Sequence, residues 1–195
     1  MTVLTPRISR EEAVALSSLY TLLAQTMRYP QPEFCNETLF DALETLLDTL
    51  GWQTEQAELR RWRRNAGDPL DELRTEYTRL FINNPARTAI PPYASVHIDG
   101  DHSLYGPTTE RTRDFYRAHG YDLADDAEPA DHLWIELDFL AALTQSELFA
   151  EEEQFLRELF RPWFACFREK SNAQIRHPFY NVSIQLIDFF TKEEP

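Results

Sequence analysis

At 195 residues, 43% of them hydrophobic and 13% aromatic, the chain can fill a sizeable core and suits one domain spanning 1–195. Its 33 acidic residues against 19 lysines and arginines give a formal net charge of −14. That excludes nucleic acid and anionic lipid as main partners, because a phosphate backbone needs a positive footprint.

Cys35 and Cys166 form no C-x-x-C, so neither a disulfide framework nor a thiolate zinc site is expected, and a reducing compartment suits the chain. The opening MTVLTPRISREE has no apolar run of the secretory kind. No stretch approaches the roughly 18 apolar residues that cross a bilayer. A cytoplasmic chain without membrane insertion is expected.

Nearly every readable segment is helical. Ser9 with Glu12 writes a capping box, followed by apolar Leu16, Leu19, Tyr20, Leu23 and Met27, and YPQP stops that helix. A second helix is expected from about Glu33 through Leu50, ended by Gly51. ELRRWRRN forms a short third piece whose arginines, Arg60, Arg61, Arg63 and Arg64, suit an outer face. Asp68-Pro69 opens a fourth, with Leu70, Leu73, Tyr77, Leu80 and Phe81 facing inward.

Between Ile82 and Gly106 the helical pattern disappears, and a long ordered loop packed on the surface is expected. Helical signal returns from about Thr108 to Gly120, and the acidic YDLADDAE follows. Residues 128–140, EPADHLWIELDFL, read as a helix with Pro129 in its first turn. Then come a long helix carrying Phe155, Leu159, Trp163 and Phe167, bent at Pro162, and a last one opened by HPFY. The fold class is all-α: a single-domain bundle of about eight helices.

Residues 128–140 hold a histidine and four carboxylates in an otherwise apolar stretch. As a helix they stack His132 and Glu136 on one face, while Asp131 and Asp138 share another and look outward. Residues 99–110 imitate a calcium loop, but the position that requires glycine is Leu104. His97, Asp99, Asp101 and His102 cluster without the spacing zinc needs. There is no nucleophile elbow and no glycine-rich phosphate loop, so a mutually bonded His132–Glu136 pair explains the segment better than catalysis. From Ala118 to Leu156 eleven acidic residues occur without one lysine or arginine. That window is either a solvated face or a basin for a basic ligand.

The order of LF (Leu80, Phe81), PPYASVHID (91–99), EPADH (128–132) and HPFY (177–180) resembles the TorD/DmsD family, across essentially the whole chain. The resemblance implies an all-helical, cytoplasmic, non-catalytic chaperone. It would bind the twin-arginine signal peptide of a cofactor-free molybdoenzyme and delay export until the molybdenum cofactor, carried by the client and not by this chain, is in place. Family members also engage the client's mature part, the cofactor-assembly machinery or, weakly, a guanine nucleotide. They occur as monomers and as dimers that exchange helices, for which 121–128 would be the hinge.

Carried onto this sequence, the peptide-contacting pair falls on Asp131 and His132, and the loop aromatic on Tyr93, where the family often has tryptophan. The expected site is Leu80, Phe81, Pro91, Pro92, Tyr93, Ser95, Glu128, Asp131, His132 and Glu136, with Trp134 as a further wall. Its apolar trough would supply affinity and its acids, Asp131 foremost, orientation. Glu136 would favour a charged His132, while the helix N-terminus and apolar neighbours oppose it. Two rival readings are a helical adaptor for a folded redox-enzyme subunit and a small hydrolase or nucleotide-binding protein.

Overall fold

Ten α-helices and two π-helical turns, with no strand, account for the regular structure of the described residues, 9–83, 88–100, 102–124 and 128–192, of the computed structural model. In chain order they are α1 (Arg10–Met27), α2 (Glu37–Thr49), α3 (Gln53–Asn65), α4 (Pro69–Tyr77), α5 (Ala94–Ile98) and α6 (Pro107–Ala118). Then follow α7 (Leu133–Gln145), α8 (Phe149–Phe155), α9 (Arg161–Gln174) and α10 (Pro178–Thr191). One π turn, Thr78–Ile82, continues α4; the other, Leu156–Phe160, joins α8 to α9. The all-α expectation holds. The count exceeds eight because α5 forms inside the 82–106 loop and the long helix is divided by a π turn.

Local chemistry writes the helix starts. Ser9 and Glu12 form the reciprocal capping box at α1. Asn36 caps α2 through its side chain, so that helix begins at Glu37 and not near Glu33. Asp68 accepts from the amides of Leu70 and Asp71, with Pro69 in the first turn of α4. Two histidines serve the same purpose: Nδ1 of His132 accepts from Trp134 N, and Nδ1 of His177 accepts from Phe179 N. HPFY is therefore a capping and packing motif.

The core forms around α7, nine of whose thirteen residues are buried. A helix apolar on all sides has to lie at the centre. α1 runs along it, with Ser17 Oγ donating to the Ala141 carbonyl at 2.9 Å. Trp163, Phe164 and Phe167 of α9 and Phe179 and Tyr180 of α10 complete the packing. Tyrosine hydroxyls tie the layers together: Tyr180 donates to Leu73 O and Tyr116 to Ala130 O, each at 2.9 Å. On the outside, Arg63 pairs with Glu37, Asp41 and Glu44, and Arg60 with Glu44, so these arginines join α3 to α2.

The 82–106 segment differs from a surface loop. Ala94, Ser95 and His97 of α5 are buried, and α5 packs on α6 and α9. Pro162, expected to bend one long helix, sits in the first turn of α9, just after the π turn. A residue without an N–H interrupts the i→i−4 ladder, and the π turn absorbs that interruption.

Asp99, first residue of the calcium-like stretch, is engaged in holding the start of α6. Its carboxylate accepts from Thr108 Oγ1 at 2.6 Å and from Thr108 N at 3.2 Å. Asp101 lies outside the described residues, among which no group of three His, Cys, Asp or Glu could hold a metal ion. A Cβ at Gly106 would stand 2.1 Å from Asp99 Oδ2. Gly106→Ala should expel that carboxylate and lower stability by about 1–2 kcal/mol, close to the cost of Asp99→Ala. Urea unfolding of both variants and of the double should show non-additivity.

Candidate functional site

α7 begins four residues later than Pro129 would place it, with His132 as its N-cap. Ahead of it the chain turns at 130–131, with His132 N donating to Pro129 O at 2.9 Å, and then meets the residues that open α5. Tyr93 and His132 form an isolated bridge, Leu133 N donates to Pro92 O at 2.9 Å, and Ala94 N donates to Asp131 O at 3.0 Å. Asp131 turns inward, toward the amide of Ser95, and His132 turns the other way, against the Tyr93 ring.

This corrects the outward placement of Asp131, which is 0% exposed. Its Oδ2 accepts from Ser95 N at 2.7 Å and braces α5 against the entry of α7. Asp138, its expected companion, is half-buried and pairs with Arg28.

On the His132 side lies a cleft of about 190 Å³. Its floor is Tyr77, Phe81, Pro92 and His132; Tyr93, Trp134 and Glu128 form one wall and Tyr29 and Ile82 the lip. Ile82 is 57% exposed and Tyr29 42%, high values for large apolar side chains. Tyr93 OH donates to Glu128 Oε2 at 2.8 Å, and the Tyr93 and His132 rings meet edge-on at 4.6 Å.

Of the expected site residues, Phe81, Pro92, Tyr93, Glu128 and His132 converge here, as does Trp134. Leu80, Ser95 and Glu136 do not; they are buried, as Asp131 is. Pro91 contributes its carbonyl, which accepts from His97 Nε2 at 2.8 Å. Tyr29, Tyr77 and Ile82 were not anticipated. Ile82 carried a readable signal, being an apolar residue directly before Asn83 with no place on the preceding helical face. A larger cleft of about 520 Å³ around Tyr20, Glu152 and Phe190 contains none of the expected residues.

The His132–Glu136 pair is not formed. His132, being the cap, spends Nδ1 on Trp134 N, and Glu136 Oε2 instead accepts from the Trp163 indole at 2.9 Å. Burial, reinforced by Arg28, lowers the His132 pKa to about 3. A neutral ring with Nδ1 as acceptor carries its proton on Nε2. Burial, and then Asp131, push the Glu136 carboxyl well above the usual carboxylate range. Both groups are held uncharged, so a charged His132 supported by Glu136 is ruled out.

The acidic window is also thinner than its composition suggests. Asp131 and Glu136 are interior, Glu152 accepts from Tyr20 OH at 2.7 Å, and Asp138 is paired. Asp125 and Asp126, within the expected hinge 121–128, lie outside the described residues. Asp122, Glu128, Glu147 and Glu153 remain exposed.

A sequence profile described as the nitrate reductase delta subunit matches residues 32–169. Chaperone protein TorD of Vibrio atlanticus is 31% identical over 169 residues, covering 79% of this chain and 73% of that protein. The chain belongs to the TorD/DmsD family. TorD of Vibrio vulnificus is 30% identical over 131 residues, 61% of this chain and 60% of that protein. The Tat proofreading chaperone DmsD of Salmonella typhimurium is 32% identical over 117 residues, 60% of this chain and 57% of that protein. These two matches span less than two thirds of the relatives' length.

A solved structure described as a redox enzyme maturation protein from Archaeoglobus fulgidus shares the fold, with a TM-score of 0.60, 24% identity, and 98% and 99% of the two chains covered. The profile covers this family member's cleft apart from Tyr29. No helix among the described residues is long and apolar enough to cross a membrane.

Opposite pH signatures follow for the two buried groups. The unfolded chain protonates His132 near pH 6.5, while the fold resists protonation down to about pH 3. The stabilisation from His132 is therefore complete above pH 6.5 and is lost as pH falls. The advantage of wild type over His132→Asn, which keeps a capping acceptor, should be largest above that pH and shrink below it. Glu136, with its raised pKa, contributes fully below pH 4.5 and loses as pH rises. Wild type should accordingly lose ground to Glu136→Gln above pH 4.5, as read from urea midpoints across the range.

Proposed function

We propose that this chain is a redox-enzyme maturation chaperone. In this reading its cleft holds the twin-arginine signal peptide of a cofactor-free molybdoenzyme, delaying export until the molybdenum cofactor is inserted. The observation that carries the reading is the lip: Ile82 and Tyr29 stand exposed around a neutral floor with Glu128 at its edge. Exposed apolar side chains gathered at a concave site mark a surface awaiting a partner. At about 190 Å³ the cleft falls below the roughly 300–1,000 Å³ of small-molecule pockets. It suits one or two side chains of a peptide better than a nucleotide or a hydrolase substrate.

The energetics divide in the same way. Burying a leucine-sized side chain is worth roughly 1.5–3 kcal/mol, whereas an exposed arginine–carboxylate pair gives about 0.2–1 kcal/mol. The apolar stretch of the leader is the anchor. Glu128, steadied by Tyr93, orients a guanidinium and speeds encounter. Asp131 acts only by keeping Tyr93 and His132 in place.

The nitrate reductase delta subunit description of the matching profile keeps one alternative in play, an adaptor for a folded redox-enzyme subunit. Titration calorimetry with a synthetic twin-arginine leader and its twin-lysine version separates the two. The arginine peptide should bind several-fold tighter. Ile82→Asp should weaken it by about tenfold or more with the melting temperature unchanged, since that side chain is exposed. Equal affinity for both peptides and indifference to Ile82→Asp would defeat the proposal and favour the adaptor. Asp131→Ala should lower stability by about 1–3 kcal/mol by orphaning the Ser95 amide, whereas Glu128→Gln should leave stability intact and reduce the salt dependence of binding.

A further inference from the structure

The residue after α1, Arg28, reaches over the outer wall of the cleft. Its guanidinium carbon lies 3.8 Å from the Trp134 ring centroid and 5.2 Å from that of Phe34, and it forms an ion pair with Asp138. An indole face, a phenyl ring and a carboxylate around one cation make a cage suited to a planar guanidinium, which stacks and pairs where an ammonium only pairs. Trp134 belongs at once to this cage and to the cleft.

The hold on Arg28 is through its side chain. Its backbone has left the helix at ψ 154°, and its N–H makes only a long 3.4 Å bond to Gln25 O. The side chains of Arg28 and Asp138 keep 27% and 22% of their surface in solvent. Rotation about the Arg28 side-chain bonds would open the cage without unfolding anything. Left open, the cage would strand a half-buried carboxylate, whose pKa burial raises and Arg28 lowers. It therefore favours refilling by another cation.

We propose that Arg28 is an internal stand-in for a ligand arginine: the Trp134–Phe34–Asp138 cage accepts a guanidinium from an incoming peptide once Arg28 swings out. Arg28 thereby sets a threshold that only an arginine-bearing segment with an apolar anchor in the cleft can pass. The identity of the peptide rests on the function proposed above; the cage does not.

The test uses Arg28→Ala with N-acetyl-L-arginine amide and N-acetyl-L-lysine amide as probes. Arg28→Ala should melt lower than wild type and be restored by the arginine probe at millimolar concentration but not by the lysine probe. Wild type should respond to neither, and Asp138→Asn in the Arg28→Ala background should abolish the rescue. The twin-arginine leader should bind Arg28→Ala about three- to tenfold tighter than wild type, as expected for one lost competing stack.

Arg28→Gln keeps most of the side-chain stem and repeats the measurement should the alanine variant not fold. Failure of both variants to respond to the arginine probe overturns the cage, as does a leader that binds wild type measurably and binds the variants no tighter. Rescue by the arginine probe with no leader binding to any form upholds the cage and sinks the peptide reading instead.

Discussion

Two backbone hydrogen bonds and one carboxylate join the 91–95 segment to the entry of α7: Leu133 N to Pro92 O, Ala94 N to Asp131 O, and Ser95 N to Asp131 Oδ2. This clamp delays the start of α7 to Leu133 and leaves His132 to cap it. It also sets Tyr93 beside His132 and fixes the wall of the cleft. Its cost is a buried carboxylate whose second oxygen, Oδ1, finds no hydrogen-bond partner among the described residues. Asp131 in turn helps keep Glu136 protonated. Buried acids are tolerated at the centre of this fold because one is braced by an amide and the other is kept neutral.

The net charge of −14 and the nearly neutral cleft act at different distances. Exposed acids such as Asp122, Glu128, Glu147 and Glu153 create a field that gathers cations and raises encounter rates. In the complex proposed above, residence would rest on apolar surface, chiefly Ile82, Tyr29 and Trp134. A cleft lined densely with carboxylates would hold basic segments indiscriminately. In that complex one rim carboxylate, Glu128, beside an uncharged floor would leave affinity to the apolar part of the ligand.

The fold was largely legible in the sequence because helix starts are written in short-range chemistry: Ser9 with Glu12, Asp68 before Pro69, His177 before Pro178. The entry of α7 was misread. A 3.6-residue pattern extended back to residue 128 pairs His132 with Glu136 and turns Asp131 outward, yet the partners that keep this entry out of the helix lie about 35–40 residues earlier in the chain. Tertiary pairing overrode local periodicity there. The same contacts bury α5, which has too few residues to show a period at all. Of the cleft, the motif residues Tyr93, Glu128 and His132 were readable and Ile82 carried a signal; Tyr29 and Arg28 gave none, because they reach this place only through the packing of α1 against α7.

The two π turns bear on one place in the molecule. A π turn holds one residue more than an α-turn and so shifts all that follows by about 100°. After α4 that shift leaves Leu80 and Phe81 in the core and Ile82 on the lip of the cleft. Before α9 it directs Trp163 inward, where the indole N–H meets Glu136 and the ring stacks on His97. His97 in turn bonds the carbonyl of Pro91, next to the clamp. The lip in front and the neutral polar layer behind thus both depend on an irregular helix register.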